Sequence, residues 1–541
     1  MITRRVLTAL GLMALAPLPG LALAASGGPR LAPPEPMDFD RLKDLARALR
    51  DRPYAPPAEA PASAALDALT YGPLQEIRYP PGHALFPESP YPVTFFHLGN
   101  FFRHPVKVFA LEVGQARELL YSRDLFAYPA GNPGKDLPDG AGFAGVRFQK
   151  VPAGQPGDDG DWLAFLGASY FRAAGDGAQY GASARGIAID TAPGPGKTEE
   201  FPVFTRFYVA PASDGAVTVL ALLEGQSLTG AYRFTARKEP HVVIDVACTL
   251  YMRKAVERFG VAPLTSMLWY SEGMSRFLAS DWRPEVHDSD GLLMQTGAGE
   301  MIWRPLNNPP RLSVSAFADR SPKGFGLLQR DRAFANYIDD GFEENRPDIW
   351  VEPQGDWGAG SVQLVEIPTH QETDDNIVAL WVPADQPAAG AERSFAYRLH
   401  WPVAEPVATD RARCVATRAT KASWLPDPDR RPGRANLVRQ FVLEFEGAAL
   451  AGLDPEKATV ALTLSRGSAE EAGATWAPYG KPSPWRVFLK VYAEGPDPVE
   501  MRLQLKHGER LLSETWAYQY YPEAPGPSPC PGSPSPHRRP P

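Results

Sequence analysis

Apolar and polar positions alternate with a period of two along most of the chain, which is the repeat of a β-strand. The pattern predicts strands over 201–209, 217–223 and 242–251, rich in β-branched residues and bounded by Gly, Asp or Pro. Helical spacing is scarce, and the clearest helix begins after an N-cap at Asp38 and ends near Arg50. The predicted fold class is therefore all-β, with large antiparallel sheets packed as a sandwich.

A cleaner alternation begins after residue 413 and predicts a second, smaller sandwich. Its apolar positions are Phe441, Leu443, Phe445, Val460, Leu462, Leu464, Val487, Leu489, Val491, Met501, Leu503 and Leu505. Short strands at this spacing predict an immunoglobulin-like domain without its disulfide over 414–521. The Pro-containing, polar stretch 402–413 is the predicted linker to the main body, residues 25–401.

The amino-acid composition further limits the possible architectures. Of the 541 residues, 44% are hydrophobic, which supplies enough apolar surface for large cores. The chain holds 58 prolines, and because proline interrupts helices, long bundles and coiled coils are excluded. Nine of these prolines lie in 522–541, which predicts a disordered or polyproline II tail.

Charge and cysteine content exclude several function classes. The net charge of −8 lacks the basic surface that binding to nucleic acid requires. The three cysteines, Cys248, Cys414 and Cys530, show no zinc-ligand spacing. A bridge between Cys248 and Cys414 would join the two predicted domains, and the sequence does not favour it.

The first 24 residues have the features of a cleaved export signal. Arg4 and Arg5 precede an apolar stretch that ends in the small residues Ala22-Leu23-Ala24. Pro17 and Pro19 interrupt this stretch, which is too short for a membrane anchor. The start approximates a twin-arginine signal, with a Sec signal as the alternative, and either predicts a periplasmic protein.

Several catalytic motifs are absent from the sequence. It contains no GxSxG elbow, no Walker loop and no GxGxxG that opens a helix. No two histidines have the HxH or HExxH spacing of a metal site. We therefore predict neither a metal ion nor a cofactor.

Aromatic, arginine and acidic residues are instead concentrated between residues 269 and 376. They include Trp269, Tyr270, Trp282, Arg283, Trp303, Arg304, Trp350, Trp357, Asp288, Asp290, Glu372, Asp374 and Asp375. Aromatic faces and carboxylates are typical of glycan sites, and the crowded carboxylates of Glu372, Asp374 and Asp375 would raise one another's pKa, as suits a general acid. The alternative is that the aromatics form the core and the acids lie in solvated loops. Arg185 is either a structural ion-pair partner or a bidentate substrate clamp.

Twelve stretches of the sequence resemble the osmoregulated periplasmic glucan biosynthesis proteins G and D. They are residues 165–172, 180–181, 183–186, 188–192, 262–267, 285–291, 302–306, 324–330, 364–369, 372–373, 375–378 and 513–516. The resemblance spans about residues 39–521, and the twin-arginine-like start is closer to the D type.

The resemblance implies a large galactose-mutarotase-like β-sandwich, followed by the immunoglobulin-like domain, acting on β-1,2-glucan backbones. Members are similar to inverting β-1,2-glucanases, and the motifs place the general acid at Asp375 and the base, acting through water, at Asp288. Glu372 would be a supporting carboxylate. Position 374, expected to be Asn in the family, is Asp here, which would either raise the pKa of Asp375 or point to solvent.

These inferences give a hypothesis for the substrate groove. The glucan would lie across the large sandwich, contacted by Trp269, Tyr270, Trp303, Arg304, Trp357 and Arg185. A protein that only binds glucan, or a transferase that branches it, remains an alternative. Membrane glucan synthase machinery is a candidate partner, and a homodimer is one of the oligomeric states that the sequence leaves open.

Overall fold

The fold was analysed in a computed structural model, which describes residues 29–57, 64–152, 160–238, 240–274, 281–421, 438–478 and 484–522. The predicted signal peptide and nearly all of the proline-rich tail lie outside these residues. Within them, four α-helices are present: α1 Phe39–Arg50, α2 Ala64–Ala68, α3 Tyr71–Glu76 and α4 Phe334–Tyr337. Helix α1 confirms the predicted helix, because the Asp38 side chain accepts a hydrogen bond from the backbone N–H of Arg41 at 2.8 Å.

Strands dominate the rest of the described chain, as the alternation predicts. In chain order they are β1 Arg30–Leu31, β2 Glu35–Pro36, β3 Val93–His97, β4 Lys107–Glu112, β5 Gln115–Leu120, β6 Phe143–Gln149, β7 Asp161–Leu166, β8 Tyr170–Ala173, β9 Ser183–Arg185, β10 Ile187–Ile189, β11 Val203–Val209, β12 Ala216–Glu224, β13 Leu228–Arg237, β14 Val242–Met252, β15 Phe259–Ser266, β16 Leu268–Tyr270, β17 Val286–His287, β18 Gly291–Gln295, β19 Met301–Pro305, β20 Ser313–Arg320, β21 Gly324–Leu328, β22 Ile349–Gln354, β23 Ala359–Glu366, β24 Ile377–Pro383, β25 Glu392–Trp401, β26 Arg413–Lys421, β27 Val438–Glu446, β28 Thr459–Leu464, β29 Ser468–Trp476, β30 Trp485–Tyr492, β31 Val499–His507, β32 Arg510–Leu511 and β33 Thr515–Tyr520. The all-β fold class is confirmed.

Two large sheets form the main sandwich. The first runs β5-β4-β11-β12-β13-β14-β25-β22-β21-β18-β19. The second runs β20-β23-β24-β15-β9-β8-β7-β6-β3. Aromatic side chains join the two inner faces, since the ring of Phe165 lies 5.2 Å from that of Phe234 and 5.5 Å from that of Phe207. The apolar residues of both sheets therefore share one core.

The C-terminal residues form a smaller pair of sheets around a second core, to which the main body also contributes residues such as Leu293 and Trp350. Strands β26, β27, β30 and β29 make one sheet, in which β30 alternates strictly between buried and partly buried residues. They face β28, β31 and β33 across a core that includes the predicted apolar positions Phe441, Leu489 and Leu503. Strand β33 also pairs in parallel with β19, so the first large sheet continues into the C-terminal sandwich.

Two further observations concern a possible disulfide between Cys248 and Cys414 and the length of the helices. Cys248 and Cys414 are both buried free thiols, so no disulfide joins them; Cys530 lies outside the described residues. None of the helices in the described segments has the length and apolar character needed to cross a membrane.

Candidate functional site

The loops that carry Asp288 and Asp375 meet at one end of the second sheet. The backbone N–H of Asp288 donates to the carbonyl of Met267 at 2.8 Å. Asn376, beside Asp375, accepts from the Leu268 N–H at 2.8 Å and donates to the Leu268 carbonyl at 2.9 Å. Because Met267 and Leu268 are consecutive, the fold anchors both loops on the same short segment between β15 and β16.

Asp288 is held by an arginine from a distant part of the chain. Its carboxylate is almost closed to solvent, with 4% of the residue exposed, and lies 2.5 Å from a guanidinium nitrogen of Arg346. The same arginine lies 3.3 Å from Glu343 and donates to the carbonyl of His287 at 3.2 Å. These contacts fix the Asp288 side chain against the loop that contains residues 331–346.

Asp375 is equally buried, with 3% exposed, and lies within electrostatic reach of Arg185. Burial lowers the pKa of Arg185, but Tyr170, Glu199 and Asp375 outweigh it and leave that pKa above its usual range. The Arg185 guanidinium pairs with Glu199 at 3.0 Å, which is the structural role that the sequence left open. Its Nε and Nη2 are buried and find no hydrogen-bond partner among the described residues, and its guanidinium lies 5.0 Å from the ring of Tyr170 and 4.8 Å from that of Phe201.

Two of the three crowded carboxylates have hydrogen-bond or ion-pair partners of their own. Glu372 pairs with Arg283 at 2.7 Å. Asp374 accepts hydrogen bonds from the Thr369 hydroxyl at 2.8 Å and from the Gln371 side chain at 2.9 Å. Each of these two carboxylates has its own partner, and Asp374 stabilises the turn that precedes Asp375 instead of pointing freely to solvent.

Trp269 and Tyr270 lie close to the two aspartates because β16 continues directly from Leu268. Their rings meet edge to face, with centroids 5.2 Å apart. Tyr270 is buried and donates from its hydroxyl to the carbonyl of Arg283 at 3.1 Å, whereas Trp269 is only half-buried. Of this pair, Trp269 has the more accessible ring.

The structure places three of the other predicted substrate-binding residues in packing roles. Trp303 is buried in the C-terminal core, and the guanidinium of Arg330 lies 3.7 Å from its ring centroid. Arg304 and Glu366 form a buried ion pair at 2.9 Å. Trp357 packs in the main core against the aromatic side chains of Trp381, Phe395 and Tyr397. Tryptophan and arginine fit a sandwich core as well as a binding groove, so the expectation that these three residues line a glucan groove stays a prediction.

The sequence assigned no role in the site to some residues that the fold brings to this place, although it placed Trp282 and Arg283 in the same acidic and aromatic region. Arg346 and Arg283 each hold a carboxylate of the candidate site, yet their partners lie 58 and 89 positions away in the sequence. The periodic pattern of apolar residues cannot predict ion pairs between residues so far apart in the sequence. Trp282 is 65% exposed and adjoins Arg283, so exposure, which a sequence does not record, is what distinguishes it from the buried tryptophans.

A buried polar cluster lies behind Asp288. His287 contacts Glu285 at 3.1 Å and Asp290 at 3.5 Å, and its other ring nitrogen lies 3.0 Å from Gln329. Burial lowers the pKa of His287, but Asp290 and Glu285 outweigh it and raise that pKa to about 10. The three groups therefore satisfy one another as a salt bridge around a protonated imidazole.

Among the residues that the structure describes, two sets of side chains have a spacing that would suit a metal ion, and both lie in this cluster. One set is Glu285, His287 and Asp290, and the other is Glu272, Glu285 and Asp331, with ligand atoms within 4.8 Å of one another. Burial, with the carboxylates of Glu285 and Asp290, raises the pKa of Glu272 to about 8. The protonated imidazole and the raised pKa of Glu272 both reduce the repulsion among these carboxylates.

Comparison with known proteins relates this chain to a family. Residues 37–520 match the family model described as "Periplasmic glucan biosynthesis protein, MdoG". Glucans biosynthesis protein D 2 of Ralstonia nicotianae is 48% identical over 93% of this chain and 94% of its own length. Glucans biosynthesis protein D of Xanthomonas campestris pv. campestris is 44% identical over 95% of this chain and 96% of its own length.

Among solved structures, a Paenibacillus xanthan lyase matches 59% of this chain and 36% of its own, with 10% identity and a TM-score of 0.21. The sequence matches, by contrast, extend over both sandwiches and over every loop that contributes to the candidate site. The chain therefore belongs to the MdoG family of periplasmic glucan biosynthesis proteins.

Proposed function

We propose that this protein hydrolyses β-1,2-linked glucan in the periplasm, with inversion at the anomeric carbon. Asp375 is the proposed general acid and Asp288 the proposed general base, which acts through water. The observation that carries the proposal is the anchoring of both aspartate loops on Met267 and Leu268, because an inverting site needs two carboxyl groups that face one glycosidic bond.

In the proposed reaction, Asp375 donates its proton to the glycosidic oxygen as the bond to the anomeric carbon breaks. A water molecule attacks that carbon from the opposite face and passes a proton through the relay to Asp288. Inverting sites leave room for water between the carboxyl groups, typically about 6.5–9.5 Å, and a relay extends that separation. Arg346 orients the proposed base, and the pair of Glu372 with Arg283 supports the loop of the proposed acid.

The proposed glucan contacts differ from those expected from the sequence. Trp269, which adjoins the anchoring residue Leu268, and Trp282, which adjoins Arg283, are the proposed aromatic contacts, and Arg185 is the proposed donor to hydroxyl groups. Sugar C–H faces pack on aromatic rings, and hydroxyl groups accept hydrogen bonds from a guanidinium. Since Asp288 and Asp375 are almost closed to solvent, glucan binding requires a conformational change that exposes both carboxyl groups.

The proposal is tested by incubating linear β-1,2-glucan with the wild type, Asp375→Asn and Asp288→Asn, and measuring reducing ends released. We expect each substitution to lower kcat by about 100-fold or more, since general acid–base groups contribute 10²–10⁴-fold. Asp374→Asn is the matched control, because it changes a neighbouring carboxylate that bonds only within its turn. Equal turnover by the wild type and both variants would refute the assignments.

Two other outcomes would identify the alternative functions. Tight glucan binding without released reducing ends would indicate a binding protein. Longer or branched products in the presence of acceptor sugars would indicate a transferase. The name of the matched family supports glucan as the ligand and the periplasm as the compartment. Cleavage after residue 24 and export by the twin-arginine route belong to the same proposal.

A further inference from the structure

Arg283 lies within ion-pair distance of four carboxylates, those of Asp281, Asp339, Glu343 and Glu372. Its Nε and Nη2 donate to both oxygens of Asp281, at 3.0 and 2.8 Å. Its Nη1 donates to Asp339 at 2.7 Å, and its Nη2 lies 2.7 Å from Glu372. Only 11% of the side chain is exposed, so these contacts are screened less than surface ion pairs are.

The partners of Arg283 lie on the two loops that hold the proposed catalytic pair. Asp339 belongs to the loop 331–346, in which Arg346 forms an ion pair with Asp288. Glu372 lies three residues before Asp375 in the other loop. The backbone of Arg283 is itself fixed, because its carbonyl accepts the hydroxyl of Tyr270 on β16. One guanidinium thus joins the loop of the proposed base to the loop of the proposed acid.

The backbone beside Asp339 is in a conformation that needs such support. Ile338 and Phe342 have φ angles of +54° and +55°, which places both in the left-handed region. A β-branched residue rarely adopts that region and does so only when surrounding contacts hold it there. The ion pair between Arg283 and Asp339 lies between these two positions in the loop.

We propose that Arg283 is a positioning residue that sets the separation between Asp288 and Asp375. This inference rests on the proposed function. The planar fork binds Asp281 with two nitrogens, and that contact orients the remaining N–H groups toward Asp339 and Glu372. A lysine carries the same charge but lacks the fork, so it cannot contact Asp281, Asp339 and Glu372 from fixed directions at the same time.

The kinetic test compares Arg283→Gln and Arg283→Lys with the wild type on linear β-1,2-glucan. We expect kcat to fall by about 100-fold in both, because a displacement of about 1 Å costs that much, with a smaller change in KM. Arg398→Gln is the matched control: it breaks a 2.7 Å ion pair with Asp245 in the first sheet and should leave kcat unchanged. Adding Glu372→Gln to Arg283→Gln should lower kcat no further, since both changes break the same link.

Hydrogen exchange provides a readout that does not depend on activity. In Arg283→Gln, or in Glu372→Gln if the former fails to fold, we expect faster exchange in 331–346 and 369–376 and unchanged exchange in β30. Wild-type kcat in Arg283→Gln, with Asp375→Asn inactive, would overturn this inference and leave the proposed function intact. If the wild type is inert on glucan, the proposed function fails. Faster exchange confined to residues 281–285 in Arg283→Gln would refute the link between the loops.

Discussion

At the scale of single residues, exposure decides which tryptophans of the site region belong to a core and which to a surface. Trp303 is 3% exposed with Arg330 stacked on its ring, whereas Trp282 is 65% exposed. The sequence treats the two alike, because each stands beside an arginine in an acidic neighbourhood. We therefore expect Trp303 to contribute to the stability of the protein and Trp282 to the binding of glucan.

We expect Trp303→Ala to lower the free energy of unfolding by about 3–5 kcal/mol, because it leaves a cavity in the C-terminal core. Trp282→Ala should change that free energy by no more than about 0.5 kcal/mol and should instead weaken binding of β-1,2-glucan to the Asp375→Asn protein. Urea denaturation and calorimetric titration measure the two effects. A large loss of stability in Trp282→Ala, with unchanged glucan affinity, would contradict the assignment.

At the scale of elements, local patterns were predictable and long-range pairs were not. Helix α1 and its Asp38 cap follow from spacing within a dozen residues, and the burial of β30 follows its strict alternation. The loops of the candidate site follow no period. Their placement depends on Arg346 and Arg283, whose partners are set by the tertiary fold. The residue pattern singled out the acidic stretches that contain Asp288 and Asp375, and only the family resemblance assigned these two residues their predicted roles.

The loop containing Glu272 gives an element-scale prediction about pH. Its carboxylate accepts the Thr417 N–H on β26 at 2.6 Å, and burial raises its pKa to about 8 from the usual 4.5. A carboxyl group with a raised folded-state pKa binds its proton more tightly when folded. Its contribution to stability is therefore full below about pH 4.5 and is lost as the pH rises through 8.

Glu272→Gln keeps the neutral form at every pH. We expect its Tm to equal that of the wild type near pH 4.5 and to exceed it by about 2 °C or more at pH 9. Differential scanning fluorimetry across this range measures the difference, with Glu118→Gln, which alters a surface pair with Lys107, as the control. A difference in Tm that stays constant with pH would contradict the raised pKa.

At the scale of the whole molecule, the two sandwiches share a sheet as well as a contact surface. Strand β33 pairs with β19, and Leu293, Met301 and Trp350 of the main body contribute to the C-terminal core. Arg330 adds ion pairs to Glu405 and Glu514 across the same region. The alternation predicted two sandwiches but contained no sign of this shared sheet, since neither strand's pattern specifies its neighbour.

We therefore expect the full chain to unfold in one cooperative transition. A chain that ends at residue 401 would expose the edge of β19 and the apolar residues of the shared core, and it should aggregate or lose its near-ultraviolet circular dichroism. Scanning calorimetry of the full chain and circular dichroism of the truncated chain measure these outcomes. Two well-separated transitions would show instead that the sandwiches fold independently.

The most direct test of the proposed hydrolysis is the anomeric configuration of the first product, followed by NMR during cleavage of linear β-1,2-glucan. Inversion through Asp375 and water-relayed Asp288 predicts that the α-anomer appears first and that neither Asp375→Asn nor Asp288→Asn forms it at a measurable rate. The β-anomer as first product, or equal rates in the wild type and both variants, would contradict the account.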